Sequence, residues 1–589
     1  MNGAMSSSLI ADLRRDLITS AFSVETVGQL WGESAAAALF RGQRLPALRA
    51  LEGRRGEGIP ISRAEALAAL FVLNEPLERD VVDAALPQLG SNGAEKLGLL
   101  GPVGQSRHEH LGEGEGEGEG EGEGEGEVVP GENRAPRPLL RALLDLRPYS
   151  FVDTLGAGSW WIISDLGELA LGHAISEDHV LGIGGASTTL SGLMINAPVD
   201  SALDLGTGCG IQAMHASRHA RRVVATDISE RALWLAGLNA ELNAIENIEF
   251  RLGSLYEPVL DDRFDQIVSN PPFVITPRRE GVPLYEYRDG GLVGDALVQT
   301  VIRGAEQHLT PGGIAQLLGN WEYHAATPRG GAAADDAAGG TALADTAPTA
   351  TATAATTPAA AEASGLDRVR AWTEATRLDA WVIERELQDA PLYAETWIRD
   401  GGTRPGTPAF EELYAAWLDD FSARGVTHVG FGYVLLRAPA DSAQDTLRDT
   451  PRLARFETLH GGRGDNPAGL GEYFETALTG HDWQAALTDR SLLASIVTYA
   501  SDVTEERHYW PGQENPTVMS LRQGSGFART VSLDTALAAL VGACDGDLTL
   551  GQICGAIAHL LEVDEAALVA DVLPRVRSLV DDGFLLPLR

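Results

Sequence analysis

The 589-residue sequence has little lysine, little cysteine and no long apolar segment. Lysine occurs once, at Lys96, and acidic residues outnumber basic ones 83 to 45, which gives a formal net charge of −38 at pH 7. This charge argues against non-specific binding of nucleic acid, which depends on lysine and arginine neutralising phosphates, although a local basic patch can still bind specifically. Because no stretch has the roughly 18 apolar residues of a membrane helix, and the N-terminus lacks a signal peptide's apolar core, we expect a cytoplasmic protein without membrane contact.

The three cysteines, Cys209, Cys544 and Cys554, are an odd number and are spaced too widely for a metal-binding set. Free thiols in a reducing compartment are the simplest interpretation. We therefore expect neither disulfides nor a bound metal.

Composition divides the chain into four parts. Residues 1–111 are rich in helix formers and indicate a helical N-terminal module. Residues 112–136 contain a strict Gly-Glu repeat, which predicts a disordered, self-repelling linker. Residues 137–440 have strand and helix patterns, with a predicted disordered insertion of Ala, Thr, Gly and Pro at about 325–364, and residues 445–589 predict a C-terminal helical module.

Helix-start signals support both terminal modules. Ser62 is placed to cap a helix, Thr549 with Gln552 fits a capping box, and Asp564 is placed to cap the next helix. A short apolar run at 583–586 follows the helices of the C-terminal module, which is therefore interpreted as winged-helix-like, and the N-terminal module is interpreted as a small helical bundle or a winged-helix-like module. The acidic composition of the C-terminal module favours a protein partner over DNA, with plain structural packing as the alternative.

Strands and helices alternate in the central part, after a predicted hairpin or small sheet at 149–164. Alternation of this kind predicts an α/β, doubly wound, mostly parallel sheet. The predicted strands are 202–205, 222–227, 248–252, 264–269, 313–318, 380–387 and 428–436, and the predicted helices are 211–220, 229–244 and 296–309.

A glycine-rich loop, running from Asp204 to Gly210, lies between the first of these strands and a helix. Glycines there allow a tight turn and close approach of a ligand to the backbone. A nicotinamide-dinucleotide loop has a similar pattern. Asp204, at the strand end, favours a ligand with an amino group, which the carboxylate holds directly or through water.

Asp227 closes the next strand, where a carboxylate can accept hydrogen bonds from both hydroxyls of a ribose. The simpler alternative is an aspartate placed near a helix N-terminus by the helix dipole. Asp227 therefore indicates a nucleoside-containing cofactor but does not distinguish one such cofactor from another.

Asn270-Pro271-Pro272-Phe273 follows a third strand and carries the most specific chemistry. An amide or exocyclic amine nitrogen is a poor nucleophile because its lone pair is delocalised. The Asn270 side-chain oxygen and the Pro271 carbonyl can hold such an NH₂ group, since proline fixes the backbone and so the direction of that carbonyl. Phe273 offers a face for stacking on a planar group. These four residues are the predicted catalytic residues, although such a turn alone can also merely end a strand.

With these motifs, residues 200–320 resemble the class I S-adenosylmethionine-dependent methyltransferases that carry an Asn-Pro-Pro-Phe/Tyr motif. The release-factor glutamine methyltransferases (HemK/PrmC type) and the small-domain ribosomal RNA guanine-N2 methyltransferases are most similar in style. The resemblance implies a seven-stranded, Rossmann-like methyltransferase sheet. The matching segments are 204–210, 225–229, 238–243, 264–273 and 287–291.

The same resemblance implies S-adenosylmethionine as the cofactor and assigns its binding residues. Those implied to contact the cofactor are Asp204, Gly206, Thr207, Gly208, Gly210, Asp227, Ile228, Ser254, Leu255 and Asn270. Two positions depart from the family: Ser254 stands where many relatives have aspartate near the adenine, and 185–189 lacks the Pro-Arg and Thr-Glu motif of glutamine methyltransferases.

Three functions follow as hypotheses. The lead is N-methylation of a protein glutamine side chain, with a translation factor as substrate. The alternative is methylation of RNA or DNA, at adenine N6 or guanine N2. A basic face around five arginines would favour this alternative; they are Arg218, Arg221, Arg222, Arg278 and Arg279. The third hypothesis is a non-catalytic cofactor-binding module.

Overall fold

The computed structural model describes residues 3–104, 139–167, 176–279, 281–285, 287–325, 365–440 and 452–588. The predicted linker at 112–136 lies outside these residues, as does the predicted insertion at 325–364 apart from Ala325. In the described parts of the chain, no helix combines the length and the apolar character needed to cross a membrane.

The N-terminal region contains six α-helices and a short π-helical turn, with Ser62 capping the fourth helix as predicted. Strands β1 (Leu77–Glu78) and β2 (Leu100–Pro102) both pair with β3 (Leu139–Ala142), which follows the predicted linker. The region therefore contains strands besides the predicted helices. The helices are α1 (Gly3–Thr19), α2 (Val24–Phe40), α3 (Leu45–Gly56), α4 (Arg63–Leu67), α5 (Arg79–Ala85) and α6 (Gly90–Lys96), and the π-helical turn is Ala68–Val72.

The predicted hairpin is confirmed as strands β4 (Leu144–Asp153) and β5 (Gly156–Asp165), which pair antiparallel. Two asparagines, one in the helix Glu230–Leu242 and one at its C-terminal cap, accept hydrogen bonds from β5. The backbone N–H of Ile163 donates to the Asn239 side chain at 2.7 Å, and that of Trp161 donates to Asn243 at 3.0 Å.

The large sheet has eight strands in the order β13-β11-β12-β10-β9-β6-β7-β8, and β12 alone runs antiparallel to its neighbours. The predicted mostly parallel α/β arrangement is confirmed as Rossmann-like, but the count is eight, because β13 pairs in parallel with β11. The strands are β6 (Val199–Leu205), β7 (Ala220–Asp227), β8 (Ile248–Leu252), β9 (Phe264–Ser269), β10 (Leu309–His324), β11 (Asp379–Asp389), β12 (Val426–Arg437) and β13 (Ala454–Thr458).

Helices cover both faces of this sheet. Alternate residues of β6 enter different apolar clusters, with Ala202 on one face and Leu203 on the other, as the two-residue strand period requires. The predicted helix 211–220 ends earlier, at Ala216, because Ala220 already pairs with Val199 in the β6–β7 ladder. The helices are α7 (Gly185–Leu193), α8 (Ile211–Ala216), α9 (Glu230–Leu242), α10 (Ala296–His308), α11 (Gly365–Glu374), α12 (Ala390–Asp400) and α13 (Pro408–Arg424), with a 3₁₀ turn at Glu257–Val259.

The C-terminal region combines five helices with a two-stranded and a three-stranded sheet. The predicted capping box of Thr549 and Gln552 and the predicted cap at Asp564 are both confirmed. The winged-helix-like character of the terminal modules stays a prediction. The elements are α14 (Gly471–Ala485), α15 (Asp489–Leu493), α16 (Thr535–Gly542), α17 (Leu550–Leu561), α18 (Glu565–Asp581), β14 (Val497–Tyr499), β15 (Val503–His508), β16 (Val518–Gln523), β17 (Thr530–Leu533) and β18 (Leu585–Pro587).

Candidate functional site

A cavity of about 450 Å³ lies where the parallel strands β6, β7 and β9 end. Carboxyl ends of neighbouring parallel strands meet at one edge of a sheet, which is where ligands bind in open α/β folds. All three sequence motifs reach this cavity. The segments of the sheet that line it are 205–209, 226–229, 253–255 and 269–272.

The glycine loop follows β6 in a conformation that requires glycine. Gly206, Gly208 and Gly210 have φ of +77°, +54° and +89°. At Gly210 a Cβ atom would lie 3.0 Å from the Cβ of Ala236 in α9, so space as well as conformation selects glycine. The backbone N–H groups of Gly206 and Thr207 both donate to the Thr226 carbonyl at 2.9 Å, which ties the loop to β7.

Asp204 lies fully buried beneath the loop and is not among the residues that line the cavity. Its Oδ2 accepts from the Thr207 hydroxyl at 2.6 Å and from the Ala213 N–H at 2.8 Å. Its Oδ1 is buried without a hydrogen-bond partner in the described part of the chain. Burial is the main reason that the pKa of Asp204 rises to about 7.

Asp227 and Ile228 line the cavity from the end of β7. The Asp227 carboxylate accepts from the backbone N–H groups of Gly208 and Ser229, each at 2.9 Å, so it links the glycine loop to α9. Burial raises its pKa above the usual value. The Ile228 side chain is 66% exposed at the cavity edge, and Ser254 and Leu255 line the same region.

Asn270, Pro271 and Pro272 form the cavity wall at the end of β9. The Oδ1 of Asn270 is buried and accepts no hydrogen bond from the described residues. An unsatisfied buried acceptor is costly, so this oxygen fits a site that receives a donor from a ligand. Phe273 does not line the cavity. Its ring packs 5.4 Å from that of Phe431, where it helps to hold the turn against β12.

A second loop, comprising residues 284–285 and 287–291, completes the wall beside Asn270. Phe273 and Asp289 form an antiparallel bridge, and the Val274 N–H donates to the Arg288 carbonyl at 3.0 Å. At Gly290 a Cβ atom would lie 2.8 Å from the Pro272 carbonyl oxygen, so only glycine permits this approach. The two segments therefore hold each other in register.

Four lining residues from separate parts of the chain were not predicted from the sequence as part of the cofactor or catalytic site. They are His179, Ser187, Gln212 and Arg278. Gln212 is the most informative, because it is 3% exposed and its Oε1 has no partner within the described residues, while its Nε2 donates to the Ser187 carbonyl at 2.8 Å. Its polar side chain on the buried side of a short helix after a glycine loop is the sequence signal that could have identified it.

The comparisons with known proteins agree with this geometry. Residues 183–327 match the family described as methyltransferase small domain, and this segment includes the glycine loop, Asp227 and Asn270. These residues form a methyltransferase domain. Residues 19–110 and 475–587 match two families described as domains of unknown function, DUF7059 and DUF7782.

Two relatives of the methyltransferase domain act on glutamine. One is a release factor glutamine methyltransferase of Xylella fastidiosa, 38% identical over 131 residues, which are 21% of this chain and 48% of the relative. The other is a ribosomal protein uL3 glutamine methyltransferase of Bradyrhizobium diazoefficiens, 36% identical over 135 residues, which are 21% of this chain and 42% of the relative. The chain therefore spans less than half the length of these relatives.

One similar solved structure is the T. thermophilus 16S rRNA N2 G1207 methyltransferase in complex with AdoMet and guanosine. It is 22% identical, with a TM-score of 0.23, and the likeness covers 33% of this chain and 49% of that chain. The strand order of the large sheet shows the Rossmann-like fold of the methyltransferase domain.

Proposed function

We propose that this protein transfers a methyl group from S-adenosylmethionine to a planar NH₂ nitrogen, with a glutamine side chain of a protein as the acceptor. The observation that carries the proposal is the unpartnered Asn270 Oδ1, which lies on the same cavity as the glycine loop and Asp227. Polar acceptors on several sides of one cavity fit a ligand that carries both an amino group and ribose hydroxyls.

Each residue has a distinct part in this proposal. When bound, the cofactor supplies an electrophilic methyl group. Asp227 accepts from ribose hydroxyls, and Asp204 attracts the amino group from beneath the loop. Asn270 Oδ1 and the Pro271 carbonyl accept from the acceptor NH₂ and direct its lone pair into the cavity. Correct positioning of the two reacting atoms supplies much of the rate in such a transfer.

The arginines that would indicate a nucleic-acid surface are mostly neutralised. Arg218 pairs with Asp153 at 2.7 Å and Arg222 with Glu249 at 2.6 Å. Arg221 and Arg279 likewise pair with aspartates, at 3.2 and 3.1 Å. In the described part of the chain, only Arg278 of the five forms no such ion pair. Because a duplex or an RNA strand binds largely through uncompensated positive charge, this pattern supports a protein acceptor.

Radioactive methyl transfer tests the proposal. The full chain is incubated with tritiated S-adenosylmethionine and a lysate, which is then treated with RNase, DNase or protease. We expect label that survives both nucleases and is lost with protease. Label removed by a nuclease would instead support the nucleic-acid alternative, and no transferred label with cofactor bound would support the non-catalytic module.

A variant at the turn tests the role of Asn270. Asn270→Ala should lower transfer at least a hundredfold, because the acceptor NH₂ loses the oxygen that orients it, while affinity for S-adenosylhomocysteine changes less than twofold. The matched control is Asn515→Ala, in the exposed loop between β15 and β16. Transfer that survives Asn270→Ala would refute this role.

A further inference from the structure

Two helices, α12 and α13, form a hairpin between β11 and β12, far in sequence from the Asn270 turn. The hairpin packs against the segment that follows this turn. Val274 and Ile275 share one buried apolar cluster with residues of both helices, which are Ala390, Tyr393, Ala394, Ile398, Phe410, Trp417 and Phe421. The helical hairpin therefore supports the wall of the cavity from behind.

A buried hydroxyl group adds specific hydrogen bonds to this apolar contact. The Tyr393 side chain is 4% exposed, and its hydroxyl accepts from the Ile275 backbone N–H at 3.1 Å. The same hydroxyl accepts from the Asn320 side-chain amide at 2.7 Å, which connects it to β10. One hydroxyl oxygen therefore links the segment that follows the Asn270 turn to strand β10.

The second loop of the wall is fastened to the same helix. The Arg288 guanidinium donates to the Trp397 carbonyl at 2.9 Å and to Asp400 at 3.2 Å, and it lies over the Tyr285 ring at 4.6 Å. The Tyr287 hydroxyl donates to the same Asp400 carboxylate at 3.4 Å. Tyr285 and Tyr287 line the cavity, so α12 holds both loops of its wall.

We propose that Tyr393 is a positioning residue for methyl transfer and that α12 sets the place of the acceptor relative to the cofactor. Tyr393 is not among the cavity-lining residues, so it acts through the Ile275 N–H and the turn that begins at Asn270. This inference rests on the proposed function, because it concerns the acceptor side of the same site.

Tyr393→Phe removes one oxygen and leaves the ring in place. Hydrogen exchange of the full chain, followed by mass spectrometry of a peptide spanning 270–278, should show the Ile275 amide exchanging at least tenfold faster. The matched control is Tyr414→Phe, a half-buried tyrosine on α13 whose ring lies 5.9 Å from Phe410. Exchange at 270–278 that does not change in Tyr393→Phe would overturn the inference.

Kinetics then separate positioning from general stability. Tyr393→Phe should lower kcat about tenfold to a hundredfold, because a small displacement of reacting groups has effects of this size, while affinity for S-adenosylhomocysteine stays within twofold. Unchanged kcat, or an equal loss of cofactor affinity, would contradict the inference. If the unchanged chain labels no acceptor, the proposed function fails, and hydrogen exchange alone decides the role of Tyr393.

Asp400→Ala is a second variant, chosen because its side chain is 47% exposed and its loss should not prevent folding. Arg288 and Tyr287 would lose their common partner. We expect faster exchange at 284–291 and a lower kcat with cofactor affinity retained. No change in either quantity would contradict the part of the inference that concerns the second loop.

Discussion

Affinity for S-adenosylmethionine should rise about tenfold between pH 6 and pH 8, because the bound cofactor is a cation that favours the ionised form of Asp204. Burial raises the pKa of this carboxyl to about 7 in the cofactor-free protein. About one molecule in ten then has the ionised form at pH 6, and about nine in ten at pH 8. A cation nearby lowers the pKa, so binding below pH 7 releases a proton and weakens as pH falls. The expected difference in binding free energy is about 1.4 kcal/mol.

Titration calorimetry at pH 6, 7 and 8, in two buffers with different ionisation enthalpies, measures both the affinity and the protons released. Asp204→Asn is the control, since asparagine keeps the shape of the side chain and does not titrate. This variant should bind the cofactor more weakly and should show a smaller pH dependence. Asp227 also has a raised pKa, so the difference between the two proteins isolates Asp204. Equal affinity of the unchanged protein at pH 6 and pH 8, or an unchanged slope in the variant, would refute this reasoning.

Four further substitutions have defined outcomes. Gly210→Ala should lower the free energy of unfolding in urea by about 1–3 kcal/mol, because φ is +89° and the new Cβ meets α9. Gly237→Ala, on the open face of α9, should instead stabilise by about 0.5–1 kcal/mol. Gln212→Leu should weaken binding of S-adenosylhomocysteine about tenfold but not that of methylthioadenosine, which lacks the amino-acid end; equal weakening of both would contradict a role for Gln212 at that end. Arg529→Ala should lower the Tm by several degrees, because Glu457 and Asp582 share this mostly buried guanidinium and would keep only Arg455 as a cationic partner; an unchanged Tm would show that these ion pairs are not stabilising.

The sequence was most informative where local chemistry decides structure. Strand β8 begins and ends at the predicted residues, and helix caps at Ser62, Thr549 and Asp564 are confirmed, because strand period and capping depend on neighbours in the chain. The glycine loop could be predicted for the same reason, because a loop with these positive φ values requires glycine wherever it occurs.

Long-range pairing decided the features that were not predicted. The eighth strand, β13, has only five residues and gains its place from a parallel ladder with β11. Phe273 offered a stacking face by its position in the motif, but its ring packs towards Phe431 on β12. Neither partner is near in sequence, so neither contact has a local pattern that predicts it.

The part of the site that holds the methyl acceptor combines a contiguous motif with residues that are distant in the sequence. Asn270, Pro271 and Pro272 are contiguous, and their chemistry is the same for any planar NH₂ group. The residues that hold this turn, Tyr393 and Arg288, lie on other segments and contact it only in the folded chain. A reaction type can therefore be predicted from a contiguous motif, whereas acceptor choice depends on the shape of a wall assembled from separate segments. If α12 sets that shape, substitutions along α12 should change which acceptors are methylated while cofactor affinity stays the same.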